Sequence, residues 1–332
     1  MLILGIESTA HTFGIAIVRK SGNDEYGGWE FLSNVRKAFT TEGGGMIPAK
    51  VAEHHTEHYA TVLADALTKA NVPIQDIDLI AFSQAPGLGN CLRVGAAAAR
   101  SIALQYSKSI IGVNHCVAHL EVGRVLGKLN DPVLLYASGA NTQVIALEAG
   151  MYRVFGETLD TGIGNFLDTL GRELGMGFPA GPVIEKTAVD GTYYAMPYSV
   201  KGMDVAFSGL LSQALRDKEQ GTPLADICYS VQETAFAMLV EIAERALAHT
   251  GKQSLVLGGG VACNARLQAM CKAMCDARGV QFYAPERQFL VDNAAMIALT
   301  GALMHLSDGE IKIEDARIKP YERTDEVAVY WR

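Results

Sequence analysis

The sequence lacks an excess of positive charge, a membrane-length hydrophobic run and a recognisable signal peptide. Its 28 Lys and Arg residues and 36 Asp and Glu residues give a formal net charge of −8, which argues against broad, non-specific binding of nucleic acid. An apolar stretch around 294–306 is too short to cross a bilayer. No basic region precedes the strand-like residues 2–6, so we expect a cytoplasmic protein without a signal peptide or a membrane segment.

Cysteine pairs and the local motifs of several enzyme classes are also missing. The six cysteines contain no CxxC pair, which favours reduced thiols in the cytosol over disulfides or a cysteine-based zinc site. Neither GxxxxGK[ST] nor GxGxxG occurs, so the sequence predicts neither a P-loop nor a Rossmann fingerprint. HExxH is absent because Cys116 follows His115, and the usual base of a metalloprotease is therefore missing there.

What the sequence does contain is a hairpin pattern that occurs twice. In 7–16 and again in 137–146, a small polar turn leads from one apolar strand to another. The following positions are identical at a shift of 130 residues: Ser8 and Ser138, Ala10 and Ala140, Thr12 and Thr142, Ile15 and Ile145, Ala16 and Ala146. Small residues in tight turns expose backbone N–H groups and hydroxyls that bind phosphate. The pattern predicts an internal duplication with one phosphate-binding turn in each half.

Strand-like and helix-like segments alternate along the chain, which favours an α/β fold. With 332 residues the chain has room for two domains. We place the boundary near 127–131, which gives an N-terminal lobe over 1–128 and a C-terminal lobe over 129–332 with a helical insertion at about 160–250. The duplication makes these two similar α/β lobes that face a cleft.

Two pairs of histidines are candidate metal ligands. His115 and His119 follow a predicted strand, and histidines four apart on a helix lie on one face, within reach of one ion. Site residues of α/β proteins gather at the carboxyl ends of strands. His54 and His58 have the same spacing, with His55 beside them, but lie in a segment rich in charged residues. The spacing alone leaves both pairs open.

Several other residues admit both a structural and a binding role. The segment 258–264 joins a strand to a helix through three glycines, so it could bind a nucleotide or form a tight turn capped by its last residue, Asn264. Asp292 precedes a predicted helix and is, by itself, best explained as the N-cap of that helix. Asp168 and Glu185 border a Gly- and Pro-rich segment, where they could bind ribose or a metal, or be exposed.

A series of segments along the chain matches, in order, the motifs of one known family. These segments are 5–12, 43–45 with Pro48, 86–88, 92–95, 114–119, 138–143, 157–160, 207–210, 258–264 and 292–293. On them the chain resembles the universal tRNA threonylcarbamoyltransferases, in the archaeal and eukaryotic branch that works in the KEOPS complex. The segment 323–327 fits the same branch. The resemblance covers nearly the whole chain and is therefore specific.

The resemblance implies both a fold and an activity. Members have the fold of actin, sugar kinases and chaperone ATPases, with duplicated α/β lobes around a nucleotide cleft. They transfer a threonylcarbamoyl group from threonylcarbamoyl-AMP to the N6 amine of the adenosine beside the anticodon, in tRNAs that read ANN codons, and release AMP. The alternatives are a small-molecule kinase of the same fold, a metalloprotease, and a nucleotide-binding scaffold without activity.

Metal ligands and substrate residues are carried over from the family in the same way. The resemblance implies one divalent ion, iron by analogy with archaeal members or else zinc, held by His115, His119, Tyr136 and Asp292. An ATP- or AMP-type nucleotide, with Mg²⁺ where phosphates need it, is the second expected ligand. The implied substrate residues are Tyr136, Ala137, Ser138, Gly139 and Ala140 for the phosphate and acyl end, Asp168, Gly181 and Glu185 for the ribose, and Gly259 and Asn264 for the adenine.

The implied partners are tRNA, threonylcarbamoyl-AMP, small dimerising or tRNA-binding subunits, and a small atypical kinase that is fused to the transferase in some archaea. The acidic net charge fits a catalytic subunit that relies on partners for tRNA affinity. Many members have Gly where this chain has Ala140, Ala180 and Ala294, and an acidic residue where it has Asn165. We expect these departures to affect substrate geometry more than the reaction. No residue stands out as a dedicated general base.

Overall fold

The computed structural model describes residues 1–41, 47–307, 309 and 311–332; the motif at 43–45 lies outside the described residues. Strands and α-helices alternate along these segments, with short 3₁₀ turns between them. The strands are β1 Leu2–Glu7, β2 Thr12–Lys20, β3 Trp29–Ala38, β4 Leu79–Ala85, β5 Ser109–Asn114, β6 Val133–Ala137, β7 Thr142–Glu148, β8 Met151–Glu157, β9 Val200–Lys201, β10 Asp204–Val205, β11 Ser254–Gly258 and β12 Gln281–Tyr283. The helices are α1 Pro48–Ala70, α2 Gly89–Tyr106, α3 His115–Leu126, α4 Ile163–Glu173, α5 Gly181–Thr187, α6 Ser208–Glu219, α7 Leu224–Thr250, α8 Ala265–Arg278, α9 Arg287–Leu290 and α10 Ala294–Leu306. No helix in the described ranges is long and apolar enough to span a membrane.

Two five-stranded sheets with the same topology carry the fold. The first has the order β3-β2-β1-β4-β5, and β1 is antiparallel to β2 and parallel to β4. The second has the order β8-β7-β6-β11-β12, and β6 is antiparallel to β7 and parallel to β11. In each sheet three strands consecutive in sequence, β1–β3 or β6–β8, are extended by two strands that arrive after crossover helices, β4 and β5 or β11 and β12. The α/β class is confirmed, and the matching strand orders agree with the repeat of 7–16 at 137–146.

The chain divides into two compact units. The first contains Met1–Lys128, Glu148–Tyr152 and Asp292–Arg332, and the second contains Leu129–Leu147 and Arg153–Val291. The first break coincides with the boundary expected at 128/129. The C-terminal residues differ from the expected lobe 129–332, because from Asp292 onward they pack with the first unit. The helices expected as an insertion at about 160–250 are α4 to α7.

Helix α10 explains why the end of the chain belongs to the first unit. It is almost entirely buried and packs against β1, β2 and β4. The contact is very close at Gly5 of β1, where a Cβ atom would lie 2.2 Å from the carbonyl oxygen of Ala294. At Gly14 of β2 a Cβ atom would lie 3.6 Å from the Ala294 Cβ. Glycine at position 5 therefore lets the first turn of α10 lie directly on the sheet.

Gly5→Ala tests this close approach. We expect the substitution to lower the free energy of unfolding by about 1–3 kcal/mol, because the added methyl group overpacks a buried backbone contact. Urea unfolding would measure the change. Gly177→Ala is the matched control, since no heavy atom lies within 4 Å of the Cβ position there. Equal losses of stability in the two variants would contradict the packing described.

Helix α6 in the second unit is capped by a carboxylate distant in sequence. Asp160 accepts hydrogen bonds from the backbone N–H groups of Phe207 and Ser208 and from the Ser208 hydroxyl. Burial disfavours the charged carboxylate, but these donors and the N–H of Thr161 outweigh burial and lower the pKa of Asp160 to about 2. The start of α6 therefore depends on a charged Asp160.

Asp160→Asn should reveal this dependence through pH. The pKa of Asp160 is lower in the folded chain than its unfolded value of about 3.9, so its contribution to stability is present above about pH 4 and is lost as the pH falls toward 2. We expect the variant to be less stable than the parent at pH 7, with a difference that closes between about pH 4 and pH 2. Urea unfolding across this range measures the difference, with Asp190→Asn as an exposed control. A difference that persists unchanged at pH 2 would be incompatible with the cap.

Candidate functional site

The first unit brings two histidines and an aspartate to one point. His115 and His119 lie on the first turns of α3, directly after β5, and their ring centroids are 4.8 Å apart. Asp292 lies just before α10, and its Oδ1 is 3.4 Å from Nε2 of His115 and 3.7 Å from Nε2 of His119. Within the described part of the chain, these residues form the only group of three or more His, Cys, Asp or Glu side chains close enough to share a metal ion.

Asp292 does not cap α10. The N-cap is Asn293, whose side-chain oxygen accepts a hydrogen bond from the N–H of Met296. The explanation of Asp292 as an N-cap, which its sequence position favours, is therefore wrong. Its carboxylate faces His115 and His119 instead, because the neighbouring residue satisfies the start of the helix.

Glu7 is a site residue that the sequence analysis missed. It is fully buried at the end of β1, and its Oε2 accepts a hydrogen bond from Nδ1 of His115 at 2.9 Å. Its Oε1 accepts hydrogen bonds from the backbone N–H and the hydroxyl of Thr9. Because Glu7 holds the proton on Nδ1, Nε2 of His115, which faces Asp292, is the nitrogen that would bind a metal ion, as in the carboxylate–histidine pairs of metal sites. The available signal was the position of Glu7 beside the repeated turn.

The charges at this site are strongly coupled. Burial disfavours a protonated His115, but the carboxylates of Glu7 and Asp292 outweigh burial and raise the pKa of His115 well above its usual value. Burial lowers the pKa of His119. The pKa of Asp292 falls well below its usual value, because hydrogen bonding to the two imidazoles outweighs burial. A metal ion binds deprotonated ligands, so its binding here would release a proton.

Buried charges anchor the rest of α3. Arg124 is 1% exposed, and its guanidinium donates hydrogen bonds to Glu121 at 2.8 Å, to Glu25, and to the Tyr26 hydroxyl at 3.2 Å. The fully buried Glu121 also accepts a hydrogen bond from the Tyr152 hydroxyl. Breaking a buried ion pair of this kind is costly because it leaves a charge uncompensated. The network therefore fixes the helix that carries both histidines.

The histidines of α1 have other surroundings. His58 contacts the backbone of its own helix, His54 contacts His55, and the buried His55 contacts the carbonyl of Ala10. None of them belongs to a group of three candidate ligands among the residues that the structure describes. The pair that the sequence left open is thereby excluded as the three-ligand centre.

In the second unit, the predicted phosphate turn is compact and internally hydrogen-bonded. The backbone N–H and the hydroxyl of Ser138 both donate to the carbonyl of Asn141. Gly259, with φ of +92°, lies against this turn, where a Cβ would be 2.4 Å from the carbonyl oxygen of Ala137. Only glycine fits this backbone conformation and this close approach. The structure thus brings the turn at 137–140 and Gly259 together.

The start of α4 lies over the same turn. The N–H groups of Gly164 and Asn165 donate to the carbonyls of Ser138 and Gly139 at 3.0 Å. Asn165 stands where relatives are expected to carry an acidic residue. A Cβ atom added at Gly139 would lie 3.5 Å from the side-chain oxygen of Asn165. The departure therefore lies directly beside the predicted phosphate turn.

The predicted ribose and adenine residues form two contacts within the second unit. Asp168 accepts a hydrogen bond from the N–H of Ala180 at 2.7 Å, which fixes the residue before Gly181. Glu185 accepts one from the N–H of Ala265 at 2.8 Å, at the start of α8.

Asn264, beside that contact, has a structural role. Its side-chain oxygen caps α8 by accepting hydrogen bonds from the N–H groups of Arg266 and Leu267. Its amide donates to Gln232 at 2.9 Å. The capping role that the sequence left open for Asn264 is confirmed.

Comparison with known proteins decides the family. The profile of TsaD, tRNA N6-adenosine threonylcarbamoyltransferase, matches residues 30–299. The chain belongs to this family. The tRNA N6-adenosine threonylcarbamoyltransferase of Thermococcus kodakarensis is 54% identical over 333 residues, which cover 100% of both chains. The predicted activity, threonylcarbamoyl transfer to the N6 amine of a tRNA adenosine, is confirmed by this membership, against the kinase and metalloprotease alternatives.

Other relatives of the transferase are longer. The probable bifunctional tRNA threonylcarbamoyladenosine biosynthesis protein of Methanosarcina acetivorans is 49% identical over 333 residues. The match covers 99% of this chain and 59% of that protein. The rest of that protein lies outside the match.

Solved structures show the fold of the transferase at low sequence identity. Thermococcus kodakarensis HypF matches with a TM-score of 0.62 and 16% identity, over 96% of this chain and 49% of that chain. Component A of the (R)-2-hydroxyglutaryl-CoA dehydratase of Acidaminococcus fermentans matches with a TM-score of 0.54 and 15% identity, over 91% and 97%. These likenesses confirm the predicted actin-like and sugar-kinase-like fold class.

Glu7→Gln tests the orientation of His115 in the transferase. The amide keeps the shape of the side chain but loses the charge that holds the proton on Nδ1. We expect the affinity for the Zn²⁺ ion whose binding requires His115 and His119 to fall about 10–100-fold, the usual effect of losing such a partner. Competition with a chromophoric chelator measures the affinity.

Glu30→Gln, on the exposed end of β3, is the matched control, because Glu30 pairs only with the exposed Arg19 among the ion pairs described. Unchanged affinity in both variants would mean that Glu7 does not orient a metal ligand.

Proposed function

We propose that the transferase holds one divalent metal ion between His115, His119 and Asp292 and uses it in transfer from threonylcarbamoyl-AMP to tRNA. The supporting observation is the convergence of both Nε2 atoms on Asp292 Oδ1, at 3.4 and 3.7 Å. Two imidazoles and a carboxylate suit iron(II) or zinc. Tyr136, the fourth ligand implied by the family resemblance, lies on β6 of the second unit and stays a prediction.

The reaction needs positioning more than a strong base. The N6 nitrogen of the adenosine beside the anticodon forms a bond to the carbamoyl carbon, and the bond from that carbon to the phosphate oxygen breaks. AMP leaves with the electron pair, and the former amine loses a proton to water or buffer. A metal ion bound at the site would polarise the carbamoyl carbonyl as a Lewis acid. Because adenylate leaves readily, orienting the amine and the donor supplies much of the rate.

Glu7 and the α3 network prepare the ligands before the substrate arrives. Glu7 holds the proton of His115 on Nδ1, and Arg124 fixes the helix through Glu121 and Glu25. Ligands that are already oriented lose little conformational entropy when a metal binds. These residues act on the reaction through the histidines rather than on the substrate.

The turn at 137–140 is the proposed phosphate site. Because the N–H and hydroxyl of Ser138 are used within the turn, we infer that the N–H groups of Gly139 and Ala140 donate to the phosphate. Small residues with exposed N–H groups form such anion sites without a P-loop. Ala140 narrows this site by one methyl group where glycine is expected, so fine substrate geometry should differ from that of glycine-containing relatives.

The remaining substrate residues are proposed around the nucleoside. We place the ribose near Asp168, Gly181 and Glu185, and the adenine near Gly259 and Asn264. The side chains of Asp168, Glu185 and Asn264 already hold neighbouring backbone in place, so we expect them to shape the nucleotide site as much as to contact the ligand. Mg²⁺ would accompany the phosphates of an ATP-type ligand.

The proposed partners follow from the family. The bifunctional relatives suggest that the transferase acts beside a second tRNA threonylcarbamoyladenosine biosynthesis activity, which we take to be the small atypical kinase of the KEOPS complex. Small dimerising or tRNA-binding subunits would supply affinity for tRNAs that read ANN codons, since the chain itself carries a net charge of −8. The expected cytoplasmic location stays a prediction.

The proposal is tested by transfer of labelled threonine to unmodified tRNA, with the adenylate-forming enzyme, ATP, bicarbonate and the partner subunits present. We expect His115→Ala/His119→Ala to lose more activity than the 10–100-fold typical of residues behind a metal ligand, because both imidazoles are removed. Asp292→Asn should lose activity and Zn²⁺ affinity together.

His249→Ala is the matched control, since His249 lies at the end of α7 in the second unit. Circular dichroism checks that each variant is folded. Wild-type transfer rates in a folded double variant would exclude His115 and His119 from the reaction.

A further inference from the structure

We propose that His54 and His58 form a second metal site on α1, which takes a divalent transition ion such as Zn²⁺ through the Nε2 atoms of both rings. This site is built from other residues than the centre at His115, and it does not depend on the function proposed above. The sequence offered this pair as an alternative centre, and the transferase function leaves it unused.

The two rings lie on one face of a regular helix. His54 and His58 are four residues apart on α1, and their ring centroids are 4.3 Å apart with planes inclined by 30°. Both side chains are half-buried. Side chains four apart on a helix are neighbours, and a single zinc ion bonds imidazole nitrogens at about 2.0–2.1 Å. Both Nε2 atoms would have to lie at this bond length from one ion, and the short distance between the rings permits this.

The hydrogen bonds of His55 determine the tautomer of His54. The buried His55 lies 3.0 Å from the carbonyl oxygen of Ala10 through Nε2, so Nε2 carries the proton and Nδ1 accepts. His55 is fully buried, and burial disfavours a charged imidazole. Nδ1 of His54 lies 3.3 Å from Nδ1 of His55 and must therefore be the donor. The lone pair of His54 is left on Nε2.

His58 reaches the same tautomer by a different contact. Its Nδ1 lies 2.9 Å from the carbonyl oxygen of His54, so Nδ1 carries the proton and Nε2 the lone pair. Metal-binding histidines generally donate their other ring N–H to a carbonyl or a similar acceptor, which fixes the ring and raises its basicity. Both histidines therefore present the nitrogen that a metal needs.

The surroundings restrict the rings, and the imidazole ligands select the class of ion. Burial and the repulsion from His58 and Lys37 disfavour a protonated His54, and the attraction of Glu57 only partly opposes them, so the pKa of His54 is lowered. The ring of Phe39 packs edge-on against His54, with centroids 5.8 Å apart. Imidazole suits zinc, copper and nickel, whereas Mg²⁺ requires oxygen ligands. The site therefore discriminates between these classes of ion.

An ion at this site would also stabilise the folded chain. It would cross-link two successive turns of α1, and the bond from His55 to Ala10 connects these turns to the loop between β1 and β2. Because the unfolded chain does not hold the two rings together, an ion that binds the folded state raises its stability. We expect Zn²⁺ to raise the melting temperature of the parent more than that of a variant without the pair.

The test uses titration calorimetry to measure how many Zn²⁺ ions bind the full chain after a chelator has removed any metal. The parent is compared with a control and with a variant that lacks the pair. We expect two ions per chain in the parent and in the control His249→Ala, and one in His54→Ala/His58→Ala. Alanine is the best helix former and both positions are half-buried, so this variant should fold, and circular dichroism checks that it does. Mg²⁺ should add no heat that depends on His54 and His58.

Two results would overturn the second site. One is the same number of Zn²⁺ ions, with the same affinities, in the parent and in His54→Ala/His58→Ala. The other is a second Zn²⁺ ion whose affinity for the parent is no higher than that of the weak residual Zn²⁺ binding measured for His54→Ala/His58→Ala. The variant His115→Ala/His119→Ala separates the two centres, because it should keep the ion on α1. If it instead keeps both ions, the centre at His115 fails while the site on α1 stands.

Discussion

The close packing of α10 on β1 is the constraint on which the site depends. Gly5 lets the first turn of α10 lie on the sheet, with Ala294 against the backbone of β1. Asp292 directly precedes this turn, so the same contact carries its carboxylate from a distant part of the sequence to His115 and His119. A larger residue at Gly5 would displace the helix start and, with it, the aspartate. The proposed metal centre thus depends on how the C-terminal segment returns to the first sheet.

Buried charge is tolerated around α3 because every charge has a partner. Glu7 pairs with His115, and Arg124 lies between Glu121 and Glu25. Isolated charges in such positions would be strongly destabilising, which makes these residues interdependent rather than replaceable one at a time. Helix α3 is therefore held by Glu7 at its start and by Arg124 near its end, and ligands held in place favour a site that is formed before substrate binds. The proposed site on α1 is also prepared before an ion binds, because backbone and histidine acceptors fix the tautomers of His54 and His58.

Local sequence patterns predicted much of the fold. The repeat of Ser8, Ala10 and Thr12 at a shift of 130 residues corresponds to two sheets with the same strand order, because a short turn between apolar strands specifies a hairpin locally. The spacing of His115 and His119 predicted that both rings lie on one face of a helix, because helix periodicity is also a local property. Matched motifs then identified the family, which the comparisons confirm.

Long-range packing accounts for what the sequence patterns did not predict. Asp292 looked like a helix cap because Asp and Asn are equally good N-cap residues, and no local signal shows that Asn293 takes that role or that α10 returns to the first sheet. Glu7 was missed because its partner, His115, follows a different strand and lies 108 residues away in the sequence. The sequence placed 292–332 in the second lobe, whereas in the structure these residues pack with the first unit. The reason is again that no local pattern shows that α10 returns to the first sheet. The roles of Tyr136 and of the residues around the phosphate turn stay predictions.

X-ray absorption at the zinc edge would show directly whether His115 and His119 bind the metal ion. The protein would carry His54→Ala/His58→Ala, so that one equivalent of Zn²⁺ reports only on the centre at His115. We expect scattering from two imidazole rings and at least one oxygen at about 2.0–2.2 Å, with the imidazole signal lost when His115 and His119 are also replaced. A zinc spectrum without imidazole scattering, or one unchanged by those replacements, would contradict the proposed metal centre.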